Sequence, residues 1–447
     1  MYTHTLQILA FILAGLTAIS FGLEIVIFTF VSLPVTQEWN LTGVEYGILA
    51  SSTGITNIIG GYIYSFLCDS YGRVWPYSLV LFHLGVAGLA SAFSPTFTVF
   101  VFLRDIVSLA LPAASGVLFT TFVEFLPVRN RGKIMVLVLV VQSLGTCITG
   151  GLAWWLIPTT YVNKGWRYLI IATTIPQLIG SAYRLFVFPL QSPRFLIAKG
   201  RFEEARKVFE KMARLNGKRL DNLIPKGVSF DTAVKVSTEK ERVCSQFWTS
   251  LAAIFRPPYL MLTVLISIIY VTSTVTYFCS SIFLLKVLYQ YGTNPYFASF
   301  FGYLGQIPGI LLMSIIVEWK GIGRVNSLRF FTIITVISFL LFAFIRNVVA
   351  TSVLTIFTYF GMVPQISLLF TYMSEVYPTA IRTTAITFFN SLSACFGIAV
   401  PYFSGYLSDV RPHWVYPTVW AGFYFFQFIV SLFLRYETLG KHIPDTM

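Results

Sequence analysis

Charge is what this 447-residue sequence has least of. Asp, Glu, Lys and Arg together make up 11% of it, 56% is hydrophobic, and the mean hydropathy is +0.75. A soluble domain normally carries about a quarter charged residues, so a soluble globular protein is excluded. Cysteine is sparse as well. Cys68, Cys147, Cys244, Cys279 and Cys395 are scattered, mostly within apolar runs, and form neither a metal-ligand spacing nor a disulfide framework. Acid is scarcer than base, with 18 Asp and Glu against 31 Lys and Arg. A net charge of +13 can signal nucleic acid. Here the basic residues sit in alternate loops between apolar runs, which is how a membrane protein sets its orientation, and no nucleic-acid partner is expected. The N-terminus lacks a basic n-region and a clear small-residue cleavage site, so the first apolar run reads as a span and not as a removed signal peptide. No nucleophile, phosphate loop or metal cluster marks an enzyme, and no cofactor is called for.

What is present is a series of apolar runs of spanning length, about 20 residues each. We place twelve, near 7–31, 43–67, 76–96, 98–124, 134–158, 167–190, 258–281, 295–317, 328–346, 349–373, 382–408 and 413–435. Helices are the element that satisfies its own backbone in lipid, so the fold class is an all-α membrane protein. Fourteen of the 31 Lys and Arg lie between Gln191 and Arg256. More lie in 69–75, 129–133, 320–329 and the C-terminal tail, while 32–42 and 92–97 have none. That bias puts both termini and the central loop in the cytoplasm. The expected division is a six-helix bundle over 1–190, a loop over 191–256, a second bundle over 257–435 and a tail over 436–447. Within the loop, Phe202, Ala205, Phe209 and Met212 recur at spacings of three and four, with Glu203, Glu204, Arg206, Lys207, Glu210 and Lys211 on the other faces. This is an amphipathic helix that ends near Gly217 and either packs under a bundle or lies on the membrane surface. Asn40-Leu41-Thr42 is a glycosylation sequon or an ordinary polar loop on the outer side.

Two motifs recur at one offset. Glu124-x-x-Pro127-x-x-x-Arg131 and Glu375-x-x-Pro378-x-x-x-Arg382 lie 251 residues apart, as do Gly72-Arg73 and Gly323-Arg324. The shared offset predicts two parallel six-helix repeats with the substrate path between them. Each Pro stops a helix at the cytoplasmic rim between an acid and a base. Together these residues form either a latch between the halves, broken when the protein opens inward, or static helix-end pairs.

These segments carry a resemblance. Asp69-Ser70-Tyr71-Gly72-Arg73 is similar to the loop motif of the major facilitator superfamily, and Arg104, Glu124 and Arg131-Gly132 resemble its fourth-span signature. Leu190-Gln191-Ser192-Pro193-Arg194 and Glu437-Thr438-Leu439-Gly440-Lys441 resemble sugar-porter segments that follow the sixth and twelfth spans. Tyr377-Pro378-Thr379 and the stretch around Phe125-Leu126-Pro127 look like the synaptic-vesicle transporter-related branch, near the organic ion transporters and bacterial niacin transporters. The resemblance covers nearly the whole chain. Ser65, Val74, Gln191 and Lys320 depart from it. Lys320 stands where the second loop acid belongs, so the C-terminal copy of the gate is expected to be weaker or differently paired.

Glu24 is the sharpest single candidate. No other acid precedes Gln37, and a carboxylate in hydrocarbon costs several kcal/mol unless it is used. Phe21-Gly22-Leu23-Glu24 resembles the first-span Phe-Gly-x-Asp of proton-coupled sugar porters, in which the acid works with the arginine matching Arg104. The resemblance therefore implies a proton-coupling pair, Glu24 with Arg104; the competing readings are a structural ion pair and Asp105 as the arginine's partner. Arg184 is expected to snorkel, and His83 to be structural. By the same resemblance the central cavity is lined by spans 1, 4, 7 and 10. Tyr270, Thr274 and Tyr277 share one face of the seventh span, and Gln142, Gln306, Gln365 and Asn390 are amides within apolar spans. We name Tyr270, Thr274, Tyr277, Gln142, Gln306 and Asn390 as candidate substrate contacts, with packing as the competing role. The seventh span has no glutamine, unlike the sugar-binding span of sugar porters, which argues against a hexose. The reading is a secondary active transporter for a small charged or aromatic organic solute, with protons as candidate coupling ion and membrane lipid around it, in the plasma membrane or a vesicle membrane. Its rivals are an uncoupled facilitator and a non-transporting receptor that keeps the fold.

Overall fold

The computed structural model describes all residues except 1–4, 126–130, 158–163, 199, 218–250, 258, 291, 293, 320, 346, 410–413 and 439–447. Among the described residues there is no strand. The helices are α1 (Thr5–Ile25), α2 (Ile27–Glu38), α3 (Gly43–Tyr71), α4 (Val74–Ser91), α5 (Phe97–Phe125), α6 (Arg131–Leu156), α7 (Gly165–Ala182), α8 (Pro193–Ala198) and α9 (Phe202–Leu215). They continue with α10 (Leu260–Gln290), α11 (Pro295–Ile316), α12 (Gly323–Phe344), α13 (Val348–Val376), α14 (Thr379–Asp409) and α15 (Val415–Leu432). Taking α1 and α2 as one broken span, this is the expected set of twelve. Eleven are long and apolar enough to cross a membrane. The exception is α3, whose sequence is rich in Gly, Ser and Thr. It packs between the halves, where small residues matter more than hydropathy.

An even number of spans leaves both chain ends on one face, here called the terminal face. The first span is broken at Val26, which departs from helical ψ two residues beyond Glu24. The ninth span starts at Gly323, five residues before the expected 328, because at the rim Arg324 is paired with Glu375 and Arg329 donates to backbone carbonyls at the end of the last span. The seventh helix ends in a π-turn, Tyr183–Val187, and here the expectation for Arg184 is corrected. Arg184 does not snorkel. It is fully buried, its guanidinium donates to the carbonyls of Phe188 and Leu190, and it stacks 5.5 Å from the Tyr77 ring centroid. The wide turn releases carbonyls that need a donor, and in an apolar bundle only a side chain can supply one.

The amphipathic helix is α9. Ala205 and Ala213 are buried, and Val208, Met212 and Leu215 lie against the apolar cluster at the terminal end of the first half. It therefore packs under the bundle. Asn216 accepts a bond from the Leu6 amide at 3.2 Å, and Gly217 closes the helix with a φ of +68°.

The two halves meet at the face opposite the termini. There α3 crosses α14 so closely that a Cβ at Gly405 would lie 2.2 Å from the Gly43 carbonyl oxygen. Trp154 stacks on Phe300 and meets Phe297 edge-on where α6 meets α11, and the Phe30 and Tyr303 rings sit 5.6 Å apart. Every polar contact between halves among the described residues lies at this far face or at mid-membrane.

Candidate functional site

The break at Val26 sets the central site. Thr149 on α6 donates to the Leu23 carbonyl at 3.2 Å, and the Tyr46 hydroxyl on α3 donates to the Phe28 carbonyl at 2.6 Å. Between these points the Glu24 carboxylate is 1% exposed. Arg104, 1% exposed, donates to one of its oxygens through Nη2. The Gln177 amide nitrogen on α7 donates to the other at 3.0 Å. The Phe28 ring lies 4.8 Å from the Arg104 guanidinium. An isolated buried charge would cost far more than a paired one, so each ion holds the other in place. The expected Glu24–Arg104 pair is thus formed, and Asp105 is not a rival for it, since Asp105 forms no ion pair with Arg104 and its Oδ1 is buried without a partner. His83 bonds the Tyr64 hydroxyl, away from the pair.

Arg104 keeps its Nε and Nη1 without a hydrogen-bond partner, and Gln177 keeps its Oε1 so. This is a polar cluster with unused donors and an unused acceptor, sealed from solvent. Sequence reasoning passed over Gln177. The signal was available, because Gln177 is an amide inside an apolar run like the four that were singled out.

The candidate substrate contacts spread along the seam of the second half. Tyr270 donates to Asn390 Oδ1 at 2.6 Å, and Thr274 pairs with Ser393, so both tie α10 to α14. Tyr277 faces Tyr359 at 6.4 Å between centroids. Gln306 on α11 reaches into the first half, where its amide donates to Thr146 and, at 3.4 Å, to the Ser143 carbonyl. Gln142 is half-buried beside it, with its backbone carbonyl against Gly22. Gln365 lies deeper in the second half and bonds Thr332, Thr335 and Gln427.

At the terminal face the second copy of the gate motif is built around Arg324. Arg324 binds Glu375 bidentately, at 2.9 and 3.0 Å, and also the Val317 carbonyl at 2.8 Å. Glu437 accepts from the backbone amides of Arg324 and Val325, capping α12 at 2.9 and 3.0 Å. Thr438 donates to Glu375 at 2.6 Å. In the first half the Gln191 carbonyl oxygen accepts from the Arg73 amide at 2.9 Å, the equivalent seat at the start of α4. Gly72 and Gly323 both take positive φ, +84° and +71°. Arg324 thus pairs with Glu375 within its own half. The side chains of Asp69, Glu124, Arg131 and Arg382, and all of Lys320, lie outside the described residues.

At the far face, Asp409 at the end of α14 accepts the Gly43 amide of α3 at 2.8 Å and pairs with Lys286 of α10. The sequence reading did not single out this cross-half contact.

The family model described as Major Facilitator Superfamily matches residues 10–401. The Arabidopsis thaliana protein described as organic cation/carnitine transporter 7 is 26% identical over 434 residues, 88% of this chain and 84% of that one. The synaptic vesicle 2-related protein of Rattus norvegicus is 23% identical over 461 residues, 97% of this chain and 79% of that one. Among solved structures, the xylose transporter XylE from E. coli in a partially occluded inward open conformation superposes with a TM-score of 0.73 at 15% identity, covering 98% of this chain and 99% of that one.

Proposed function

Because the chain belongs to the major facilitator superfamily, we propose that it is a proton-linked carrier in which Glu24 holds the coupled proton and uptake of that proton breaks the pair with Arg104. The protein is an integral multi-pass membrane carrier that moves a small organic solute by alternating access. It is not an enzyme. The observation that carries the coupling is the buried carboxylate, pinned by Arg104 and Gln177 beside a helix break. Protonation and ion pairing compete for one carboxyl group. A proton therefore changes which packing of α1 against α5 and α7 is preferred, and the carrier is biased toward one of its two states. The far-face closure of the halves supports a conformer open toward the termini, which the charge bias of the loops puts in the cytoplasm. In this reading the bundles span 1–190 and 257–435, residues 191–256 form the cytoplasmic strap, and 436–447 the tail.

The solute class is a charged or aromatic metabolite. The absence of glutamine from α10 before its last residue, Gln290, and the aromatic seam around Tyr277 support this over a hexose, as does the 26%-identical relative described as an organic cation/carnitine transporter. The experiment is a thermal-shift panel of organic cations, carboxylates, nucleosides and sugars at acidic and neutral pH, followed by proteoliposome flux of the strongest hit. A ligand at about a hundred times its Kd adds roughly 2.7 kcal/mol to the folded state. Flux in the wild type should rise with an inward proton gradient, and Glu24→Gln should fold and lose that dependence. Unchanged pH dependence in Glu24→Gln removes the coupling role, and flux indifferent to the gradient in the wild type makes the protein a facilitator.

A further inference from the structure

We propose that Gln177 is a positioning residue that serves both protonation states of Glu24 by turning its amide. The proposal rests on the coupling role of Glu24 argued above. In this structure Gln177 is completely buried and gives its Nε2 to Glu24 Oε2 at 3.0 Å, while its own Oε1 has no partner. A buried carbonyl left unbonded is costly, and folded proteins rarely tolerate one without reason. The reason offered here is the other half of the cycle. When Glu24 takes a proton it becomes a donor, and the bond from Arg104 weakens. The new O–H then needs an acceptor in a site sealed from water. A half-turn about the last torsion of Gln177 exchanges its nitrogen for its oxygen in the same place, and such terminal torsions are soft. The amide then accepts from the carboxylic acid where it had donated to the carboxylate. Its carbonyl end now lies toward Gly88 of α4, where a Cβ would sit 3.9 Å from Oε1 and 2.8 Å from Thr174 Cγ2.

No other group around Glu24 can serve both states. Arg104 on α5 only donates. From α3, Tyr46 spends its hydroxyl on the Phe28 carbonyl. From α6, Thr149 is bonded to the Leu23 and Gly145 carbonyls, and Cys147 lies beside Gln306. On α5 Asp105 forms no hydrogen bond or ion pair with Glu24 or Arg104 and leaves its Oδ1 unpartnered, and on α4 Tyr77 is bonded to Thr17 and His83 to Tyr64. On α7 itself, Arg184 is committed to the π-turn. A leucine at 177 would serve neither state, and a glutamate would add a second acid.

The test needs no solute. Infrared difference spectra of the purified full-length protein are recorded between neutral and acidic pH. A carboxylic carbonyl band that disappears in Glu24→Gln belongs to Glu24. If no such band exists in the wild type, the coupling reading itself fails. Given that band, the expected result is an accompanying glutamine-amide band that disappears in Gln177→Leu, with the Glu24 band displaced and its titration midpoint moved by a pH unit or more. In Gln177→Glu the single step should split into two, because interacting carboxyls titrate as a pair. A Glu24 band and midpoint unchanged in Gln177→Leu overturn the proposal. If Gln177→Leu does not fold, a Gln177→Glu protein with one wild-type step overturns it equally.

Discussion

At the scale of single residues, the Glu24–Arg104 pair separates two kinds of loss. Arg104→Leu leaves a carboxylate buried without its cation, and breaking a buried pair from one side typically costs about 3–5 kcal/mol. The double variant Glu24→Gln with Arg104→Leu removes both charges and should recover most of that. Thermal unfolding in detergent checks both, and equal melting temperatures for the single arginine variant and the wild type would show the pair to be energetically idle. Coupling should stay lost in the double variant, since restored stability does not restore a proton site. Much of this site was legible in the sequence for a physical reason. A lone acid in a hydrocarbon span has few ways to survive, and an arginine in another span is one of them. Gln177 was not legible to the same degree, because a neutral amide in an apolar span is tolerable wherever it finds any partner. Its meaning comes from its place opposite one carboxylate oxygen, and that is set by how α7 packs on α1.

At the scale of elements, the spans could be read because hydropathy and length decide them, whereas their ends depend on partners far along the chain. The start of α12 is the clearest case. Nothing local to residues 318–328 places the helix start at Gly323; Glu437, over a hundred residues later, caps it. The matching seat at α4 is filled by Gln191, which keeps the hydrogen bond and lacks the charge. This predicts a graded series. Glu437→Ala should destabilise the second half by about 0.5–2 kcal/mol, the usual loss for an N-cap. Glu437→Gln should lose the charge–dipole part, about 0.3–1 kcal/mol, and the bond from one of the two amides, and so lose less than the alanine variant, because position 191 shows an amide accepting one such bond. Melting temperature and protease cutting of the purified variants would order them. A Gln variant as unstable as the Ala variant would mean the charge, not the bond, holds the helix start. The break at Val26 was not legible either. Proline is the usual cause of a break, yet Pro34 lies inside α2, and the break is held open by Thr149 and Tyr46 from other helices.

At the scale of the whole molecule, the closed far face is the feature least accessible to sequence, because it belongs to one of two packings that the same residues must both permit. The small residues of α3 and α14 say that another backbone can approach them; only the close passage of Gly43 and Gly405 says which. Asp409 adds polar closure by joining the first turn of α3 to Lys286. Gly405→Leu places a side chain where the Gly43 backbone now lies, and backbone cannot yield as a side-chain tip can. That variant should fold as two intact halves that cannot close at this face, and transport should stop. The state can be read directly with a reporter cysteine at Thr29, which is now buried beneath Tyr303. In a background with the native cysteines replaced, a membrane-impermeant thiol reagent should leave Thr29→Cys largely protected and should label it in Gly405→Leu. Asp409→Asn should fall between them, since it loses the Lys286 ion pair and keeps an acceptor for the Gly43 amide. Protection in Gly405→Leu equal to that of the parent would mean that the α3–α14 contact is not what shuts this side. The aromatic contacts of Trp154 and Tyr303 along α11 would then be the closing surface.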